Sequence, residues 1–204
     1  LSIRRQRQMC IRDRYKHALG TPVSEDKLVF EETDETFFVG VGKSKSQEYI
    51  MISSSSTLST ETRYVKADAP DSDWTIVHPR EADHEYGVSH YGDHFYIRTN
   101  KGAKNFKLVK TPVGNTSEDL WEDVIPHRED VLLEGTDFFS SHLVLSERKD
   151  GLNQIRIIKW DGSEDYYLQF NDPAYMAFTG ANPDYDSENL RFGYTSLTTP
   201  YTTY

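Results

Sequence analysis

One pattern recurs in this chain at a nearly constant spacing, and that recurrence limits the folds open to it more than any other feature. The stretch HFYIRTNKGAKNFKLVKTP begins at His94, and a loose copy, HLVLSERKDGLNQIRIIKW, begins at His142. Each is a run of alternating apolar residues, a polar turn containing a glycine, and a second alternating run. With the first apolar residue after the entry residue as anchor, Phe95 and Leu143 lie 48 apart; a step back of 46 reaches Tyr49, and a step forward of 47 from Leu143 reaches Leu190. Side chains alternate along a strand, so Phe95 and Ile97 share one face and Tyr96 and Arg98 the other. Leu143 and Leu145 repeat the arrangement. Asp150-Gly151 is a hairpin-turn dipeptide, because both positions tolerate positive φ, and Gly102 serves the same purpose in its copy.

The remainder of each period also reads as strand. DKLVFEETD precedes FFVGVGKSKS, DWTIVHP precedes HEYGVSHYG, DVLLEG precedes DFFSSH, and DYYLQF precedes AYMAFTGAN. Long amphipathic helices are absent. NTSEDLWEDV reads equally as one helical turn or as a strand. About four short strands in a period of roughly 47 residues is the sequence form of a β-propeller blade. A β-sandwich could use the same hairpins but would not require the regular period. The expected fold is therefore all-β, a partial β-propeller of about four four-stranded antiparallel blades, with Tyr49, Phe95, Leu143 and Leu190 at equivalent buried positions between them.

Charge divides the chain unevenly. Residues 1–14 carry five Arg and one Asp, a charge of +4, so the remaining 190 residues hold −14 of a total of −10. That acidity argues against a nucleic-acid partner, whose phosphates need Lys and Arg. It suits a positively charged one. No apolar run approaches the ~20 residues of a membrane-spanning helix, so no membrane partner is expected. The basic N-terminus is followed by no apolar segment of a secretory signal, and the expected location is the cytoplasm. The head, residues 1–14, resembles translated adapter or vector sequence; it is expected to be disordered and outside the fold, leaving residues 15–204 as the propeller. Its Cys10 is the chain's single cysteine, which excludes an internal disulfide or a cysteine-rich zinc site.

Residues that could carry chemistry do not assemble into a motif. GVGKSKS lacks the closing glycine of a G-x-S-x-G nucleophile elbow, and no G-x-G-x-x-G or P-loop is present. ISSSSTLST reads as a polar hairpin connection. His78, His84, His90 and His94 fall close together, with Asp83, Glu85 and Asp93 nearby. They are expected on separate strands and turns, with neither H-E-x-x-H nor H-x-H, and His90 and His94 as surface residues flanking the Gly92-Asp93 turn. EETDE (31–35) and NPDYDSEN (182–189) match no calcium loop and read as solvated turns. No catalytic, cofactor-binding or metal residue is assigned, and no cofactor is expected.

Taken in order, the motifs resemble one family. In YKHALGTPVSEDKLVFEETDETFFVGV, Tyr15-Lys16-His17 and Leu19-Gly20-Thr21 precede the acidic strand Asp26–Glu32, as an aromatic-x-His and a Leu-Gly-Thr precede D-x-L-V-[FY]-E-E in the prolyl oligopeptidase family of serine peptidases. EYGVSHYGDHFYIRTNKGAKNFKL, PHREDVLLEG, LVLSERKDGLNQIRI, NDPAYMAF and LRFGYTSLTTP look like oligopeptidase B, the branch that cleaves after Lys or Arg. The resemblance runs from Tyr15 to the C-terminus. It implies a seven-bladed propeller that admits only short peptides to an α/β-hydrolase domain with a Ser-Asp-His triad. The implied partners are short basic peptides and a C-terminal hydrolase domain of the same parent chain. Neither the triad, the oxyanion hole nor the pocket for a basic residue maps onto these residues, and the chain is expected to stop inside a strand at Tyr204. The expectation is an inactive propeller segment; the alternative is a stand-alone propeller that serves as a binding scaffold.

Overall fold

The computed structural model describes residues 12–204. Apart from two short 3-10 turns, Val23–Glu25 and Glu118–Leu120, the regular structure is antiparallel β. A hairpin of β1 (Asp13–Lys16) and β2 (Lys27–Glu31) comes first. Three four-stranded meanders follow. The first holds β3 (Phe38–Lys43), β4 (Tyr49–Ser55), β5 (Thr60–Lys66) and β6 (Thr75–His78). The second holds β7 (Tyr86–Tyr91), β8 (His94–Thr99), β9 (Lys107–Pro112) and β10 (Glu122–Ile125). The third holds β11 (Val131–Phe138), β12 (His142–Lys149), β13 (Leu152–Lys159) and β14 (Asp165–Tyr167). A three-stranded sheet of β15 (Tyr175–Thr179), β16 (Phe192–Ser196) and β17 (Thr202–Thr203) ends the chain. These are successive blades of a partial propeller.

Most of the basic head, residues 1–11, lies outside the described residues. Its last members do not lie outside the fold: Asp13 and Arg14 open β1, paired with Glu31 and Phe30. DKLVFEETD likewise forms no part of the first blade. It supplies β2, and the hairpin packs against that blade. The Arg63 guanidinium lies 4.4 Å from the centre of the Phe30 ring, and Arg14 donates to the Val39 carbonyl. Phe37 and Val39 are each only 7% exposed, while Phe38 between them is 67% exposed. Alternation along β3 sends it to the other side.

Blades pack through alternate side chains. Phe95 and Ile97 of β8 look back toward the first blade, where Phe95 meets Tyr49 and Tyr64 at centroid distances of 5.2 and 4.7 Å. Leu143 and Leu145 look back in the same way, onto Tyr96 and Leu108 of the second blade. Phe95 and Leu143 are thus equivalent. Tyr49 is not: it reaches forward to the second blade, its ring tilted against His90 and edge-on to Phe95. Its face is opposite to that of Ile50 and Ile52, and Ile52 pairs with Arg63 on the side covered by the β1–β2 hairpin. A shift of one residue exchanges the faces of a strand. Leu190 precedes β16 and is half-buried; Phe192 and Tyr194 take the backward-facing places, against Val144, Ile155 and Ile157. Tyr194 is therefore buried, although it belongs to the last sheet of the series.

Candidate functional site

The seam between the first and second blades is crossed by the segment from His78, which ends β6, to His84, two residues before β7. This segment reads His-Pro-Arg-Glu-Ala-Asp-His. Asp83 adopts φ 59°, in the left-handed region, and the chain doubles back there. The two imidazoles consequently meet, with ring centroids 5.0 Å apart. Trp121 covers His78 and Tyr86 covers His84, at 5.3 and 5.1 Å. Expected on separate elements, His78 and His84 instead converge, and the carboxylate that joins them is Glu81, not Asp83 or Glu85. One ligand atom from each of His78, Glu81 and His84 lies within 4.8 Å of the others. Spacing rules missed the trio because the bend at Asp83, not a regular strand or helix, brings its ends together.

The seam is also charged. His78 Nε2 is 3.7 Å from a Glu81 oxygen and 3.6 Å from a Glu118 oxygen. Lys101 holds both carboxylates, at 2.9 and 2.6 Å. Its hydrogen bonds keep the Glu81 and Glu118 carboxyls below the usual carboxylate range. The Glu118 contact in turn raises the Lys101 ammonium. Burial, with the neighbouring His78, pushes the His84 imidazole down. Tyr86, whose phenol is pushed up to about 12 by burial, accepts from the Thr62 amide and donates to the His78 carbonyl at 2.5 Å, tying β5, β6 and β7 together.

His90 and His94 part company. His94 stays half-buried beside the turn. His90 is buried, correcting its expected surface position; its Nδ1 meets Ser46 Oγ at 2.8 Å, and burial lowers its pKa. In EETDE Glu31 ends β2, and Glu32 departs from a solvated turn. It is 6% exposed and bound by Arg80 at 2.6 Å. In the 182–189 stretch Asp184, Asp186 and Glu188 are exposed. A further buried carboxylate went unnoticed in the sequence. Glu147, fully buried between the second and third blades, is ion-paired with Arg128, lies 4.0 Å from Arg156, and accepts from the Tyr167 hydroxyl at 2.7 Å. Arg128, Arg156 and Tyr167 give that charge the partners that burial demands, which marks a structural network. Lys45 in the β3–β4 turn reaches Asp137 of β11 at 2.6 Å and lies over the Phe139 ring. The first and third blades are thereby linked directly.

This architecture is matched by known proteins. Residues 11–204 match the model of the prolyl oligopeptidase N-terminal β-propeller domain. Dipeptidyl aminopeptidase BI of Pseudoxanthomonas mexicana is 46% identical over 92% of this chain and 26% of its own length. Protease 2 of Moraxella lacunata is 33% identical over 93% of this chain and 27% of its own length. Among solved structures, oligopeptidase B from Trypanosoma brucei with covalently bound antipain superposes with a TM-score of 0.87 at 28% identity, over 95% of this chain and 29% of that one. Oligopeptidase B from Leishmania major gives the same score and identity, over 94% and 28%. The chain thus spans about a quarter of the length of the proteins it matches. With its period, its meander blades and this match over nearly all of its residues, the chain belongs to the prolyl oligopeptidase family, as part of the N-terminal β-propeller domain.

Proposed function

We propose that these blades are a non-catalytic, substrate-gating part of an oligopeptidase B-like serine endopeptidase that cleaves short peptides after Lys or Arg. The observation that carries this reading is the close superposition on two oligopeptidases B. A gate of this kind works by exclusion, and exclusion needs blades that do not part. Their seams are fastened accordingly: Tyr64 donates to the Val113 carbonyl at 2.7 Å across the first seam, and Arg98 Nε to the Leu133 carbonyl at 2.7 Å across the second. The −14 carried outside the basic head would draw cationic peptides toward such a gate. Nucleophile, base and oxyanion donors would come from a hydrolase domain of the parent protein, since these 204 residues hold no nucleophile elbow. Cytoplasmic residence belongs to the same proposal.

A second reading rests on the relative at 46% identity, whose name is that of a dipeptidyl aminopeptidase. The parent would then remove dipeptides from free amino termini. One assay separates the two. The complete reading frame that contains this chain, expressed and purified, is offered an amino-blocked arginyl fluorogenic substrate and a free-amino dipeptidyl one. Cleavage of the blocked substrate supports the endopeptidase, and cleavage of the free-amino substrate alone supports the second reading. Failure on both overturns the peptidase assignment. The 204-residue polypeptide itself is expected to hydrolyse neither above background and to take up no serine-reactive phosphonate. Stoichiometric labelling of one serine would refute that expectation.

A further inference from the structure

We propose that His78, Glu81 and His84 form a zinc-binding clip on the connection between the first and second blades, with Lys101 occupying the cation position when no metal is bound. Two imidazoles and a carboxylate are a ligand set that zinc favours, in a three-ligand site that leaves one position open. Among the described residues this is the group of His, Asp and Glu side chains whose ligand atoms converge.

Each imidazole is set up to coordinate through one defined nitrogen. The His78 Nδ1 lies 2.8 Å from the Pro79 carbonyl, which can only accept, so Nδ1 carries a proton and Nε2 is the nitrogen left to coordinate a metal. That Nε2 is the atom facing Glu81 and Glu118. A backbone carbonyl holding the far nitrogen is the usual support of a metal-bound histidine. In His84, Nε2 lies 2.8 Å from Thr99 Oγ1, while Nδ1 is buried with no hydrogen-bond partner at all. His84 is 3% exposed, and a buried polar nitrogen without a partner is costly. With the proton on Nε2, Thr99 accepts from His84 beside the Lys101 amide, and the Nδ1 lone pair is free for a metal.

Charge completes the argument. Glu81 and Glu118 place two carboxylates beside two imidazoles, and they already hold one cation, the Lys101 ammonium. A divalent ion gains more from the Glu81 carboxylate than a monovalent one does. On binding, Glu81 turns an oxygen from Lys101 to the metal, and Lys101 stays paired with Glu118. All three ligands lie within residues 78–84, so the ion would fasten the crossover segment against its own bend at Asp83.

The test is titration of the purified 204-residue chain with Zn2+ against a chromophoric chelator, and with Co2+ read by its visible d–d absorption. The expected result is one equivalent bound, with tetrahedral-type cobalt bands. Glu81→Gln, at a half-exposed side chain, should weaken binding by at least the roughly 10–100-fold seen when a metal site loses only an outer supporting group. His84→Gln should abolish the cobalt bands. Lys101→Met removes the competing ammonium and should tighten binding by about tenfold. Thermal unfolding of each variant without metal controls for folding. No saturable binding, or a single equivalent whose affinity is unchanged in both Glu81→Gln and Lys101→Met, would overturn the proposal.

Discussion

Glu32 shows at the scale of one residue how a charge becomes structural. Burial alone would push its carboxyl up. Arg80, the Asp34 amide and Ser54 more than offset that effect, and the carboxyl stands below its ordinary value of 4.5. Arg80 is shared: it also meets Glu61 at 3.2 Å, and Glu61 pairs with Arg63 at 2.5 Å. A carboxyl lowered in the folded state stabilises the fold above its unfolded value and loses that contribution as pH falls through the folded value. The stability supplied by Glu32 should therefore be complete near neutrality and decline below about pH 4.5. Glu32→Gln should lower the urea midpoint at pH 7 and flatten its fall on acidification. An acid limb as steep as that of the parent chain would show that Glu32 contributes nothing to it. Nothing in EETDE distinguished Glu32 from its neighbours, because its partner Arg80 lies 48 positions away and arrives only with the fold.

The legible and illegible parts separate most clearly at the scale of the strand. Asp150-Gly151 could be read because its chemistry is local: it makes a two-residue turn with φ of 51° and 81°, joining paired Lys149 and Leu152. Phe95 and Leu143 could be placed because their hairpins share a register. Tyr49 and Leu190 could not, since the spacing between copies fixes a strand only to within a residue or two, and one residue inverts a face. His78 and His84 escaped for a different reason, a left-handed residue in an irregular connection. Gly193 belongs to this scale as well. It pairs with Phe178, whose ring stacks on Tyr201 at 5.9 Å. An added Cβ would lie 2.7 Å from the Phe178 ring and 2.9 Å from that of Tyr201. The two rings thus cover a bare stretch of β16, the arrangement by which an aromatic ring compensates a glycine in a sheet. Gly193→Ala should displace both rings and cost about 1–2 kcal/mol by overpacking. Urea unfolding would register the loss, and a midpoint equal to that of the parent chain would show that the rings yield freely.

At the scale of the whole molecule, the two ends of the blade series differ from the middle. Seams between blades bury Phe95, Ile97, Leu143, Leu145 and Val144 to 1% exposure or less. On the last sheet, Met176, Phe178 and Tyr201 are 53%, 38% and 62% exposed. Met176 and Phe178 alternate with Ala177, which faces the third blade, so they occupy the opposite face of β15. At the other end Tyr15, Leu28 and Val41 are each at least half exposed. Side chains of this kind, on sheets whose counterparts are covered elsewhere in the same molecule, favour association. A net charge of −10 opposes it, but repulsion between surface charges is screened within about 8 Å at physiological salt. Apolar contact should win at that ionic strength. The chain should therefore self-associate in the micromolar range, more strongly as salt rises, and sedimentation velocity should give a mass that climbs with concentration above the 23.6 kDa of one chain. Met176→Lys combined with Tyr201→Lys should bring the mass back toward that of the monomer, because both charges enter the exposed face and neither touches a seam. A parent chain that sediments as a monomer at every concentration and salt would mean that these faces do not drive assembly. A double variant that associates as strongly as the parent would move the contact to the β1–β2 end.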